Sequence, residues 1–148
     1  MAGGATSDLH ISTDRTRIDI AVVHRFLSTE SSWARGIALE VVRRSIGNSL
    51  CFGGYCDGAQ VAFARVVSDF ATFAYLLDVF VLAPYRGRGF GERMVGAVVG
   101  HEQLQGLRRF ILVTSSAHGL YARFGFNSPA HPETYMERHI VHAYLQPR

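Results

Sequence analysis

Residues 75 to 94 read YLLDVFVLAPYRGRGFGERM, an apolar run that passes through a glycine-rich turn into the start of an amphipathic pattern. The run, which begins at Thr72 and ends at Leu82, is too long and too apolar for a half-exposed strand, so it is expected in the middle of a sheet. Beyond the turn, Phe90, Met94 and Val98 recur at helical spacing and Gly100 supplies a stop. A strand, a glycine turn and a helix in that order bring unpaired backbone N–H groups together at the helix start, where an anion is held well. Phosphate is the natural ligand class. Gly87, Gly89 and Gly91 let the backbone approach closely and take positive φ, while Arg86 and Arg88 add fixed positive charge. The segment lacks the Gly-Lys-Ser/Thr ending of a P-loop, and its alternating glycines are not the G-x-G-x-x-G of dinucleotide folds.

Upstream, the stretch from Arg17 to Leu27 sets Ile18, Val22 and Phe26 on one helical face, with Asp14 or Thr16 as N-cap. A second helix is expected from about Ile37 to Ile46, with Gly47 and Asn48 at its exit and Trp33 on the loop between the two helices. From Leu50 the period changes to that of strands. SLCFGGY and QVAFARVV are joined through Cys56-Asp57-Gly58-Ala59, where Asp-Gly is a strong hairpin signal. A turn near Ser68 and Asp69 leads into the apolar run. Downstream, RFILV reads as another buried strand, AHGLYARF as a short helix closed by Gly125, and TYMERHIVHAYL as one or two edge strands. No repeat or linker interrupts the chain, and a single domain over residues 1–148 is expected.

A chain of 148 residues buries a real core without metal or disulfide staples. Hydrophobic residues make up 48% and charged residues 18%, a globular composition. No apolar stretch approaches the roughly 18 uninterrupted residues of a membrane span. The start, MAGGATSDLH, has neither the basic opening nor the apolar centre of a secretory signal, so a cytoplasmic location is expected. Cys51 and Cys56 lack CxxC spacing and a neighbouring His cluster, which favours buried thiols over a disulfide or a metal site. The 15 basic residues are all arginine and dispersed, and the net charge is only +3. Composition therefore gives nucleic-acid binding weak support, and an anionic small-molecule ligand explains the charge equally well.

Two ordered motifs carry a family resemblance. Arg86, Gly89 and Gly91 match the pyrophosphate loop of the GNAT superfamily of acetyl-coenzyme A dependent N-acetyltransferases, which runs Arg or Gln, two residues, Gly, one residue, Gly or Ala. The second motif lies in TSSAHGLYARFGF, where Ala117, Leu120, Tyr121, Gly125 and Phe126 stand at the family's spacing. The resemblance is specific over residues 75 to 126. The N-terminal half looks like that of small single-domain bacterial members. One departure is Thr114, where many relatives carry Asn; Thr still donates and accepts a hydrogen bond.

The resemblance implies an α/β GNAT fold: a mixed central sheet of about six to seven strands, flanked by about four helices, with two central parallel strands that splay apart. The pantetheine arm of acetyl-CoA would lie between those strands against Val79, Phe80 and Val81. Gly87, Arg88, Gly89, Phe90, Gly91 and Glu92, with Arg86, would hold the pyrophosphate, and Thr114 and Ala117 would border the cofactor. An amine of a small molecule or peptide would attack the thioester directly. That reaction needs a neutral amine, an oxyanion stabiliser and a proton for the departing thiolate. Tyr121 matches the family's general acid, and an unperturbed pKa near 10 lets it hold a proton at neutral pH. Helical spacing lets Ala117 and Tyr121 share one face while Leu120 and Phe124 share another. Tyr121 as a packing residue is the plainer alternative.

Asp78 is costly inside YLLDVFV unless it is hydrogen-bonded or useful. It is either a base or ammonium partner for the acceptor, or a satisfied structural carboxylate. His118 is a proton relay or simply exposed. Trp33, Tyr55 and Phe80 either wall the acceptor pocket or pack in the core. Two other functions compete: a catalytically silent acyl-CoA sensor, and an RNA-binding module suggested by RGRGFG, although such tracts normally repeat within disordered sequence. The acceptor class and the oligomeric state, a homodimer included, stay open.

Overall fold

The Asp-Gly signal builds the first hairpin. In the computed structural model, which describes residues 8–145, Asp57 and Gly58 both take left-handed φ, 50° and 82°. Two such residues in succession twist the chain in the sense that adjoining strands require. The hairpin joins β2 (Leu50–Cys56) to β3 (Ala59–Ser68), with Cys56 opposite Ala59 and Leu50 opposite Val66. A second turn is tied by Asp69, whose carboxylate accepts the N–H groups of Ala71, Thr72 and Phe73 and the Thr72 hydroxyl. It delivers β4 (Phe73–Val81) antiparallel to β3. At one edge β1 (His10–Ser12) pairs antiparallel with β2, and at the other β5 (Arg109–Ile111) pairs with β4 in parallel. The order is β1-β2-β3-β4-β5.

Helices cover both faces of this sheet. α1 (Ile20–Arg25) continues into a π-type turn, Phe26–Glu30, and α2 (Leu39–Gly47) follows. Their buried residues Val23, Phe26, Leu27, Val42 and Ile46 pack with Phe63 and Phe80 of the sheet, and the rings of Phe26 and Phe80 stack at 4.0 Å between centroids. The other face packs α3 (Phe90–Val99), through Met94, Val95 and Val98, against Phe52, Val61, Val66 and Leu76. Tyr121 of α4 (His118–Ala122) joins this second layer. Met94 is fully buried there, and truncating such a side chain to Ala costs about 2–5 kcal/mol.

Two irregularities prepare the site. β4 and β5 pair only over Phe73–Tyr75 and Arg109–Ile111; β4 then runs on to Val81 while β5 stops. The parallel strands therefore splay. Between β3 and β4 the register shifts, so that Asp78 and Val79 face the single residue Ala64, and Asp78 takes φ +55°. A β-bulge of this kind re-aims a side chain out of the strand's alternation.

Several expectations need correction. The sheet has five strands among the described residues, fewer than the six to seven expected. TYMERHIVHAYL forms no strand; one 3-10 turn, Pro132–Thr134, precedes and overlaps it. A strand needs a pairing partner, and no strand of its own chain pairs with this segment among the described residues. The polar lead, conversely, contributes β1, whose three residues are too few to show a period. β5 ends at Ile111 and not at Val113, because pairing stops where the strands diverge. α1 is capped by Asp19, which accepts from Val22 N–H, while Asp14 caps the short turn Arg15–Arg17. No helix among the described residues is long and apolar enough to cross a membrane.

Candidate active site

The end of β4 runs through a 3-10 turn, Ala83–Tyr85, into the glycine segment and α3. Arg86 folds back, its Nε donating to the Val81 carbonyl at 2.8 Å, and so ties the loop to the strand that precedes it. Arg88 lies over the Tyr85 ring at 5.4 Å. Gly87 and Gly89 have φ +82° and +78°, a region that β-branched residues avoid. Gly91 is ordinary helix, so its glycine needs another reason.

That reason is space. A Cβ placed on Gly87, Gly89 or Gly91 would meet no protein atom within 4 Å, so the fold itself does not crowd these positions. Gly89 is the N-cap of α3 and offers no side chain, which leaves the first N–H groups of the helix open. A helix start this bare, beside two arginines, is able to hold an anion such as a diphosphate. Glu92, in the first turn, is neutralised by an ion pair with Arg123 just beyond α4.

Thr114 lies past the end of β5, and its Oγ1 accepts the Ala117 N–H at 3.0 Å, setting the start of α4. Among the described residues the hydroxyl donates no hydrogen bond. Ala117 is the N-cap, and Tyr121 sits one turn further on, buried against the Phe126 ring at 6.1 Å. Burial pushes the Tyr121 pKa up from its ordinary 10.0. Its hydroxyl makes no hydrogen bond among the described residues. His118 is exposed and borders the same groove as Tyr121.

Asp78 stands elsewhere. Its Oδ1 accepts the Trp33 indole N–H at 2.8 Å and its Oδ2 accepts Arg65 Nε at 2.9 Å, while Arg65 also reaches Ser49 Oγ at 3.1 Å. Both carboxylate oxygens are therefore engaged, on the α1–α2 face, and no bond links Asp78 to Tyr121. Val79 and Val81 turn to the α3 layer, whereas Phe80 is packed among the α1 and α2 residues. Trp33 keeps half its surface exposed, as an acceptor wall requires. Tyr55 does not: it is buried, its hydroxyl donates to the Arg17 carbonyl at 2.9 Å, and the Arg17 guanidinium covers its ring at 4.5 Å.

Arg65 escaped the sequence reading. The available signal was a lone arginine within the apolar QVAFARVV, next to a strand with a lone aspartate within YLLDVFV; two buried opposite charges on neighbouring strands generally pair.

The comparisons with known proteins agree with this geometry. A family model described as the acetyltransferase (GNAT) domain matches residues 47–128. A solved structure from Xanthomonas campestris pv. campestris, described as a candidate acetyltransferase of the GNAT family, is 54% identical and superposes with a TM-score of 0.93 over 96% of this chain and 100% of that one. A candidate acetyltransferase of Gibberella zeae is 28% identical over 78% of this chain and 77% of its own length. A Clostridium acetobutylicum protein, solved with acetyl-CoA, shares the fold at 16% identity, with a TM-score of 0.63 over 90% of this chain and 96% of that one.

Proposed function

This chain belongs to the GNAT acetyltransferase family, and from that membership we propose that it moves the acetyl group of acetyl-CoA directly onto a primary amine of a small molecule or peptide. The observation that carries the reading is the bare start of α3: left-handed Gly87 and Gly89, an uncrowded Gly91 and no capping side chain, placed where β4 and β5 part. Acetyl-CoA supplies an activated thioester. The chain's part is to hold its diphosphate on the N–H groups of residues 87–92 and to lay its arm along Val79–Val81.

Tyr121 provides the proton for the departing sulfur. Its raised pKa keeps the hydroxyl protonated at neutral pH, and the hydroxyl is not committed to another group. The free Oγ–H of Thr114 and the exposed His118 stand at the same end of β5. Asp78 has no spare oxygen geometry for abstracting a proton while Arg65 and Trp33 hold it. In this reading it positions Trp33 beside the acceptor, and the amine's proton leaves to water.

A thiol-release screen with acetyl-CoA over polyamines, aminoglycosides, amino acids, amino sugars and peptide N-termini tests the proposal. Turnover of one class is expected. Tight acetyl-CoA binding with no turnover across the panel would make the protein an acyl-CoA sensor, and salt-dependent RNA binding without acetyl-CoA binding would make it a nucleic-acid module.

A further inference from the structure

One strip of the sheet belongs to neither helical layer. Tyr75 stands directly opposite Val67 on β3 and Ile111 on β5, so the three side chains share one face, and Leu77 follows on that face beside Arg65. It is the face turned away from α3, because the alternating neighbours Val66, Ala74 and Leu76 belong to the α3 layer. α1 and α2 cover it only in part. Tyr75, Leu77 and Ile111 are half-buried yet lie outside both core layers, Val67 is 40% exposed, and Val113, just past β5, is 80% exposed. Trp33, 53% exposed, stands at the end of the strip, held by Asp78 next to Leu77.

The charges around this strip are already matched. β3, β4 and β5 hold one acidic residue between them, Asp78, and Trp33 and Arg65 engage both its oxygens. Arg65 also reaches Ser49, while Arg109, at the far end opposite Phe73, lies over the Tyr135 ring at 5.5 Å. The loop 31–38 adds Arg35 and no acid, and Glu30 before it supplies one carboxylate. A polyamine or aminoglycoside would bring several ammonium groups to strands with no spare carboxylate, and an amino sugar would lay hydroxyls on Val67, Leu77, Ile111 and Val113. Apolar side chains with two aromatic rings among them suit a different ligand.

We propose that the acceptor is an apolar monoamine, an amino group on a short arm that carries an aromatic or branched aliphatic body and no second charge. That body lies on Val67, Tyr75, Leu77, Ile111 and Val113, with Trp33 as its wall. The inference rests on the acetyl transfer proposed above. Pairing between β4 and β5 ends at Tyr75 and Ile111, within the strip, so an amine whose body occupies it presents its nitrogen at the gap between the strands. Burial of the ligand's apolar surface against these side chains then supplies the binding.

Acetyl transfer to 2-phenylethylamine, spermidine and glucosamine tests the class, and the emission of Trp33, the chain's one tryptophan, reports binding without any transfer. With coenzyme A present, 2-phenylethylamine should change that emission saturably, and its kcat/KM should exceed those of spermidine and glucosamine by about tenfold or more. Val113 is exposed enough for Val113→Asp to fold, and the variant should raise the KM for 2-phenylethylamine about tenfold, with kcat and coenzyme A affinity little changed. Leu77→Ala should do the same. Preference for spermidine or glucosamine overturns the proposal and leaves acetyl transfer standing. Saturable binding of 2-phenylethylamine with no transfer to any amine overturns the transfer reaction and leaves the apolar strip as a ligand site. An emission unmoved by 2-phenylethylamine, or a response that Val113→Asp and Leu77→Ala both leave intact, overturns the strip itself.

Discussion

The Trp33 indole N–H reaches Oδ1 of Asp78 at 2.8 Å, tying an exposed aromatic on one loop to a carboxylate 45 residues further along the chain. Asp78 can meet it because the bulge in β4 turns its side chain out of the strand's alternation at φ +55°. A backbone conformation that is rare for a non-glycine residue is kept where the surroundings determine it, and here Arg65 and Trp33 do so together.

Asp78→Asn keeps the shape and removes the charge. The Arg65 guanidinium is then left with a weaker partner, and since the two side chains are only 15% and 10% exposed, stability should fall by on the order of 3 kcal/mol in denaturant titration. Trp33 is the chain's one tryptophan, so its emission reports the same event. Acceptor KM should rise more than kcat falls, with cofactor affinity unchanged. An unaltered emission spectrum would show that other contacts hold Trp33.

Gly91→Ala separates ligand demand from fold demand. No protein atom crowds a Cβ there and the backbone is helical, so the variant should be as stable as wild type or more so by about 0.5–1 kcal/mol. Coenzyme A affinity should drop about tenfold or more, which a calorimetric titration measures. Gly89→Val should lose affinity and stability together, because φ +78° strains a β-branched residue. Full affinity in Gly91→Ala would remove the loop as the diphosphate site.

Tyr121→Phe removes one hydroxyl and keeps the ring that packs against Phe126. Folding should survive, and kcat should fall on the order of 10²-fold with little change in cofactor affinity. The loss should shrink for an acyl donor with a more acidic thiol. Steady-state kinetics with both donors distinguishes this from a packing role; undiminished turnover, with chemistry limiting, would move the acid to His118 or water.

Burial raises the Cys51 pKa from its ordinary 9.0 to about 11. Below about pH 9 the folded and unfolded chains both keep the proton and the stabilisation is complete. Between about 9 and 11 the unfolded chain loses its proton first, so stability should decline by on the order of 2 kcal/mol as pH rises. Thermal melts at pH 8 and pH 11 should show a smaller difference for Cys51→Ala than for wild type; equal differences would place the alkaline loss on other groups, such as Tyr121.

The elements that local chemistry governs were legible in the sequence. Asp57-Gly58 names its turn, because few residue pairs tolerate two successive left-handed positions. The spacing of Phe90, Met94 and Val98 names the buried face of α3, and the glycines before it name a helix start left without a capping side chain. Tyr121 and Ala117 are likewise set one turn apart by helix geometry alone.

What depends on pairing across the sheet was not legible. The apolar pattern of TYMERHIVHAYL is that of a strand, yet whether it becomes one depends on an edge within its reach, and no strand of its own chain pairs with it among the described residues. β1 is the reverse case: three unremarkable residues become a strand because β2 has a free side. The role of Asp78 follows the same rule. Its sequence neighbours show only that a buried carboxylate requires partners. Arg65, itself tied to Ser49, and Trp33 come from distant segments, and it is the bulge between β3 and β4 that brings the carboxylate to these two side chains. Hydrogen-bond demand is written into each residue, but which groups meet it is decided by the register of strands, a property that no single segment possesses.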